Sequence, residues 1–209
     1  MISLAHKFLF VHIPKTAGNS IQNVLRSYSE DRIVCLAPYQ DGVERFEIRS
    51  DKFDIHKHST LQEYHDQLGE EDFKSLFKFT SIRNPWDRMV SFYFSAHRGT
   101  VTWDREKFVE LIQRTPSIAT NVSLCDDPRE WYRNVDFFIR YENLNDDFRK
   151  VCGIIGVPWE PLPVRNKSER QPYRNYYDEE LVELVRNRFA PEISFFGYEF
   201  ERSNSQPHS

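Results

Sequence analysis

The feature that most constrains the fold is an apolar-rich run over residues 6–13, followed at once by a short loop over residues 14–19. An uninterrupted run of this length is typical of a strand that is buried on both faces of a parallel sheet. Apolar side chains then recur at helical spacing from Ile21 to Leu25, which predicts a helix that begins near Gly18–Ser20. The segment therefore predicts a strand–loop–helix unit.

A second unit of the same kind begins at residue 77. Residues 77–82 alternate as a strand does, and Asn84 and Pro85 then supply an N-cap and a proline for the first helical position. From Trp86 to Phe94 the apolar side chains fall on one face of a helix. Arg83 is therefore predicted to lie between the end of a strand and the start of a helix.

The remaining segments continue to alternate between strands and helices. This order predicts a three-layer α/β fold with a central, mainly parallel sheet, in which ligands bind beyond the carboxyl ends of the strands. The length of 209 residues fits a single domain over residues 1–202 with a disordered polar tail over residues 203–209. Further strands are predicted at 32–37, 52–56 and 137–141, and further helices at 60–68, 70–76, 104–114, 143–155 and 178–189.

Charge and cysteine content exclude several classes of function. The chain has 28 Lys and Arg against 32 Asp and Glu, a net charge of -4, so nucleic acid is not an expected partner and any anion site must be local. Cys35, Cys125 and Cys152 are far apart and lack metal-ligand spacing, which disfavours zinc and favours a reducing compartment. The apolar runs are too short for a signal peptide or a membrane span, so a cytoplasmic location is expected.

The loop after the first strand has the chemistry of an anion site. The N-terminus of a helix offers free N–H groups and a partial positive charge, and small residues let the backbone approach an anion closely. The loop is not a Walker A motif, because its lysine precedes its glycine by three residues. A plain helix-capping turn with an exposed lysine is the alternative interpretation. The loop residues with a predicted part are Pro14, Lys15, Thr16, Ala17, Gly18, Asn19 and Ser20.

Arg83 and Ser91 form a second candidate anion site. An arginine at a strand end can hold a phosphate bidentately, and a serine on the following helix can donate from the side. The alternatives are that Arg83 pairs with a carboxylate such as Asp87, and that Ser91 is only a small helix residue.

Taken together, these segments resemble the sulfotransferases that use PAPS (3′-phosphoadenosine 5′-phosphosulfate). The resemblance rests on "HIPKTAGNS", on "SIRNPWDRMVSFYF", and on the later stretches "VDFFIRYENLNDDFRKVCGIIGVP" and "YYDEELVELVRNRFAPEISFFGYEF". It covers residues 7–200 and is nearest to the carbohydrate branch, which includes the heparan and chondroitin uronyl 2-O-sulfotransferases. It implies a P-loop NTPase-like fold, PAPS as donor with PAP as product, no metal, and a hydroxyl acceptor on a saccharide or polysaccharide.

The resemblance also implies roles for individual residues. Lys15 matches the lysine that contacts the 5′-phosphate and the bridging oxygen, and the backbone of residues 16–19 with the Ser20 hydroxyl matches the rest of that cradle. Arg83 and Ser91 match the pair that binds the 3′-phosphate. Lys167 and Ser168 lie where relatives carry a basic loop over the nucleotide, although a solvated loop is the alternative.

A hydroxyl acceptor needs a base, and His56 and His58 are the candidates. If a strand continued through them, alternation would place both rings on one face. The His-x-His pattern resembles the segment that supplies the base in the uronyl 2-O-sulfotransferases, which implies His58 as base and His56 as its orienter or as an acceptor-binding group, with the reverse assignment open.

The expected function is therefore in-line sulfuryl transfer. Two alternatives remain at this stage: a P-loop kinase or NTPase, and a non-catalytic module that binds a nucleotide or a glycan. The sequence leaves the oligomeric state open.

Overall fold

The computed structural model describes residues 1–35, 46–95, 101–163 and 170–201. The chain divides into two compact units. The first unit comprises residues 1–83 and 118–167, and the second comprises residues 84–117 and 168–209. A single domain over residues 1–202 stays a prediction, and the tail predicted over residues 203–209 lies outside the described residues.

The strands and helices of the described residues are as follows. The strands are β1 (Ile2–Ser3), β2 (Phe8–Val11), β3 (Arg32–Cys35), β4 (Phe46–Arg49), β5 (Phe77–Ile82) and β6 (Phe137–Arg140). The helices are α1 (Gly18–Leu25), α2 (Leu61–Leu68), α3 (Glu70–Ser75), α4 (Pro85–Tyr93), α5 (Arg105–Arg114), α6 (Ala119–Val122), α7 (Leu144–Ile155), α8 (Glu179–Arg188) and α9 (Ala190–Phe196).

The first unit contains a four-stranded sheet in the order β1-β2-β5-β6. Strands β2, β5 and β6 are parallel, with Phe8 opposite Phe77 and Phe79 opposite Phe137, and only β1 is antiparallel to its neighbour. Strands β3 and β4 pair separately as an antiparallel sheet. The predicted α/β fold class, with a mainly parallel sheet flanked by helices, is confirmed.

Aromatic side chains of neighbouring strands form the core of the first unit. All four residues of β2 are buried, as expected of a strand covered on both faces. The rings of Phe10 and Phe79 lie 5.2 Å apart, and the apolar faces of α1 and α7 pack in the same cluster. This packing fixes the carboxyl ends of β2 and β5, so the loop after β2 and Arg83 after β5 have rigid bases.

The sequence-based prediction of a strand over residues 52–56 is wrong. The strand that pairs with β3 is β4, and the chain then turns. The Ser50 hydroxyl accepts from the backbone N–H groups of Lys52 and Phe53, and the N–H of Ile55 donates to the Phe53 carbonyl. Local hydrogen bonds of this kind compete with a strand ladder, which the alternation argument does not consider.

The second unit is helical and packs around aromatic rings. The predicted cap of α4 is confirmed, because the Asn84 side chain accepts from the N–H of Trp86 and Pro85 takes the first helical position. The indole N–H of Trp86 donates to the Val182 carbonyl of α8 at 3.1 Å. Arg88 and Glu192 form an ion pair at 3.9 Å that is almost fully buried. No helix of the described residues in either unit is long and apolar enough to cross a membrane.

Candidate active site

The loop between β2 and α1 has an unusual backbone. Lys15 has a φ of 70° and Ala17 a φ of 78°, so two residues with side chains adopt the left-handed region. Each such residue costs about 1–2 kcal/mol, and strain of this kind clusters where a protein holds a ligand. The loop is therefore shaped by the surrounding fold rather than by the preference of its own residues.

Helix α1 begins without a capping side chain. Ala17 is its N-cap residue and makes no side-chain hydrogen bond, and the first turn contains no acidic residue. The N–H groups of Ser20 and Ile21 both reach the Ala17 carbonyl, at 3.0 and 3.4 Å. The start of α1 thus suits an anion, and the predicted anion site there stays a prediction.

Gly18 is required by a contact that the sequence does not reveal. A Cβ atom placed on Gly18 would lie 2.0 Å from Cδ2 and 2.3 Å from Nε2 of His12, far inside van der Waals contact. The His12 ring therefore packs directly on the first residue of α1. The sequence analysis assigned Gly18 only to close approach of the backbone to an anion.

The Thr16 hydroxyl is bound within the protein. It donates to the Ile13 carbonyl at 2.7 Å and lies 2.8 Å from the Ser81 hydroxyl on β5, and Thr16 is fully buried. A hydroxyl with both partners inside the fold is not placed to donate to a ligand, so Thr16 offers its backbone only. Asn19 is partly exposed, and Ser20 is buried.

The structure brings Arg83 to the loop. Its Nη1 donates to the Lys15 carbonyl at 3.3 Å, and its guanidinium lies 3.7 Å from the centre of the Tyr141 ring. Tyr141 directly follows β6 and is exposed on its other side. Tyr141 was not among the predicted site residues, although its position at the carboxyl end of the third parallel strand is a signal that points to it.

For the remaining predicted ligands of the nucleotide, a place beside the loop stays a prediction. Ser91 is buried on α4 of the second unit, whereas Arg83 belongs to the first, so their pairing stays a prediction. Asp87, the carboxylate weighed as a partner for Arg83, accepts from Arg170 at 2.5 Å. Lys167 and Ser168 lie outside the described residues.

His58 is held in one tautomer. Its Nδ1 lies 3.2 Å from the backbone carbonyl oxygen of His12. A carbonyl oxygen only accepts hydrogen bonds, so Nδ1 of the neutral ring carries the proton and Nε2 carries the free lone pair. This is the arrangement that a general base needs.

His56 orients the backbone of His58 rather than its ring. The backbone N–H of His58 donates to Nδ1 of His56 at 3.2 Å, and the Ser59 hydroxyl lies 3.3 Å from the same nitrogen. The two histidines therefore meet through a tight turn and not through the strand alternation that the sequence analysis assumed. The assignment of His58 as base and His56 as orienter stays a prediction.

Burial lowers the pKa of His12 and that of His58. The pKa of His12 lies well below its usual value of 6.5, first because its ring is buried, and then because a charge on His12 would be opposed by any charge on His58 and by Lys57. The pKa of His58 is also lowered, mainly by desolvation of its ring, although the His12 carbonyl acts in the opposite direction. A histidine with a lowered pKa is unprotonated at neutral pH and free to accept a proton.

No metal site is found in the parts of the chain that the structure describes. Three or more His, Cys, Asp or Glu side chains nowhere come together there in a group that could hold a metal ion.

These features are those of an α/β protein with a candidate anion site at the carboxyl edge of a mainly parallel sheet, beside a histidine whose pKa is lowered. The uncapped start of α1, Lys15 and His58 belong to the same unit, and each is placed by an element of its fold.

The chain belongs to the sulfotransferase family, which matches residues 1–199. Its general activity is therefore that of the family, transfer of a sulfuryl group to an acceptor, and family members in general take PAPS as the sulfate donor. An uncharacterized protein of Archaeoglobus fulgidus is 34% identical over 111 residues, which are 52% of this chain and 91% of that protein. No solved structure matches the chain significantly.

Proposed function

We propose that this protein transfers the sulfuryl group of PAPS to a hydroxyl group of a saccharide, with His58 as the general base. The observation that carries the proposal is the hydrogen bond from His58 Nδ1 to the His12 carbonyl at 3.2 Å. His12 precedes Lys15 by three residues, so one strand end supports both the base and the anion-binding loop. In-line transfer requires that the base and the site of the phosphosulfate keep fixed positions relative to each other.

The residues of the loop fit the 5′ end of PAPS. The uncapped start of α1 and the Lys15 ammonium offer N–H groups and positive charge in one place. Arg83 is held beside the loop by the Lys15 carbonyl and by the Tyr141 ring, which places a second positive charge near the loop. Two anion-binding elements of this kind favour a P-loop NTPase-like scaffold that binds a nucleotide with phosphate groups at both its 3′ and 5′ positions.

The chain's own residues supply acid–base and electrostatic catalysis. PAPS, when bound, would supply the sulfuryl group, and PAP would leave with the negative charge on its 5′-phosphate oxygen. His58 takes the acceptor proton at Nε2, and the His12 carbonyl stabilises the resulting imidazolium through Nδ1–H. Lys15 and the N–H groups at the start of α1 lie on the loop where negative charge develops, and preorganised donors of this kind stabilise it without reorganisation.

The saccharide acceptor rests on the resemblance to the carbohydrate branch. The experiment that tests the whole proposal is a transfer screen with labelled PAPS across polysaccharides, small alcohols and phenols. We expect label to appear on a polysaccharide and not on phenols. Label on phenols alone would contradict the saccharide acceptor.

A thermal-shift panel with PAP, ADP, ATP with Mg²⁺, and buffer separates the rival classes. Stabilisation by PAP above all other ligands is expected, because a ligand that binds only the folded state raises its stability. A larger shift with ATP and Mg²⁺ would indicate a kinase or NTPase. A PAP shift without transfer to any acceptor would indicate a binding module.

A further inference from the structure

His12 lies between the two functional halves of the site, and its side chain, unlike its carbonyl, has no role in the reaction described so far. It directly follows β2, and its ring is buried, 6.2 Å from the Phe10 ring and 4.7 Å from the His58 ring. A histidine at a strand end next to a loop would otherwise be assigned to packing alone.

Two contacts connect His12 with both halves. Its ring occupies the space above Gly18, where even a single Cβ atom would collide with it at 2.0 Å. Its carbonyl accepts the hydrogen bond from Nδ1 of His58. One residue therefore touches the first residue of the anion-binding helix and the proposed base.

The ring of His12 acts by its shape rather than by proton transfer. Its Nδ1 is buried and has no hydrogen-bond partner among the described residues, so no path for a proton leads through that atom. A buried ring that packs against the His58 ring at 4.7 Å, with the two planes tilted by 51°, excludes water from one side of that imidazole.

We propose, on the basis of the function proposed above, that His12 is a positioning residue. Its carbonyl fixes the tautomer of His58, and its ring sets the separation between the base and the start of α1 while keeping water from the base.

Removal of the ring has a measurable consequence for His58. Desolvation is the largest effect on the pKa of His58, and the charges that also act on it come from Lys57, Glu47 and His56. Those three residues are unchanged when His12 is replaced by alanine, whereas water gains access to the His58 ring. Because burial had lowered the pKa, we expect it to rise in His12→Ala.

The test is an NMR titration of the His58 ring in ¹⁵N-labelled protein without donor or acceptor. In His12→Ala we expect the midpoint to rise by about half a pH unit or more, while His12→Phe, which retains a ring, stays near the wild type. An unchanged midpoint in His12→Ala, or an equal rise in His12→Phe, would overturn the proposal.

Two controls separate this proposal from a folding defect and from a failure of the proposed function. If His12→Ala does not fold, Gly18→Ala displaces the same ring without altering His12, and the same rise is expected there. The titration needs no catalytic activity, so its result is independent of the proposed function. A wild-type protein that titrates as expected but transfers no sulfuryl group would contradict the function and leave the positioning of His58 by His12 intact.

Discussion

The Nδ1 atom of His58 lies 3.2 Å from the carbonyl oxygen of His12, a residue 46 positions earlier in the chain. This single hydrogen bond determines which nitrogen of His58 is basic, and it anchors the base to the strand that leads into the anion-binding loop. The catalytic predictions below depend on it.

Replacement of His58 should abolish the chemical step while leaving nucleotide binding intact. We expect His58→Ala to lower turnover by about a hundredfold or more, since general-base catalysis contributes on that scale. Affinity for PAP, measured by calorimetry, should be nearly unchanged. His56→Ala is the matched control, because it removes the acceptor of the His58 backbone N–H but not the bond from the His58 ring to His12, and it should lower turnover less. A larger loss in His56→Ala than in His58→Ala would reverse the assignment.

The pH dependence of turnover should reflect the lowered pKa of His58. The base is active when neutral, so activity is full above its pKa and falls as the pH drops through it. Because burial places that pKa below the usual 6.5, the enzyme should keep its activity at pH values slightly under 6.5. The measurement is a pH profile of kcat with saturating donor and acceptor. An acidic limb centred above pH 6.5 would be inconsistent with His58 as the base.

Arg83 should discriminate between nucleotides with and without a 3′-phosphate. Arg83→Ala is expected to weaken the binding of PAP by about tenfold or more and to weaken the binding of 5′-AMP much less. The reason is that charge-assisted bidentate bonds to phosphate are strong. Tyr141→Leu removes the ring beneath the guanidinium and should give a smaller loss in the same direction. Calorimetry with both nucleotides decides this, and equal losses for PAP and 5′-AMP would refute the 3′-phosphate assignment.

A methyl group on Gly18 should be disruptive. Gly18→Ala places a Cβ atom 2.0 Å from the His12 ring, and overpacking of this kind costs about 1–3 kcal/mol of stability. We expect a lower melting temperature and weaker PAP binding. Gly153→Ala is the control, since it lies in α7 with no atom within 4 Å of the added Cβ and should be neutral or slightly stabilising. Similar melting temperatures for both variants would show that the ring of His12 moves aside easily.

Much of the fold follows from short-range patterns. The run that forms β5 and the Asn84-Pro85 cap of α4 were predictable, because strand alternation and capping depend on adjacent residues. The bounds of α5 and α8 also agree with prediction, since Asp104 and Asp178 cap them. Helices α6 and α9 were not predicted, because α6 is very short and α9 follows α8 without a loop.

The contacts that complete the site could not be predicted in this way. Arg83 meets Tyr141 because β5 and β6 end at the same edge of the sheet, whereas the bond between His58 and His12 and the fit of His12 over Gly18 depend on how a turn and a loop fold back. Periodicity places residues on the faces of single elements, whereas these contacts depend on the tertiary arrangement. The turn at residues 56–58 likewise arises from local polar hydrogen bonds that alternation does not represent.

The measurement that tests the central claim most directly is transfer of label from PAPS to polysaccharide by the wild type, His58→Ala and Lys15→Ala in parallel. The wild type should transfer label, and both variants should fall by about a hundredfold or more, because each lacks one major catalytic contribution. Wild-type transfer that persists in either variant would contradict the role of that residue, and absence of transfer by the wild type to every polysaccharide, alcohol and phenol would contradict the function itself.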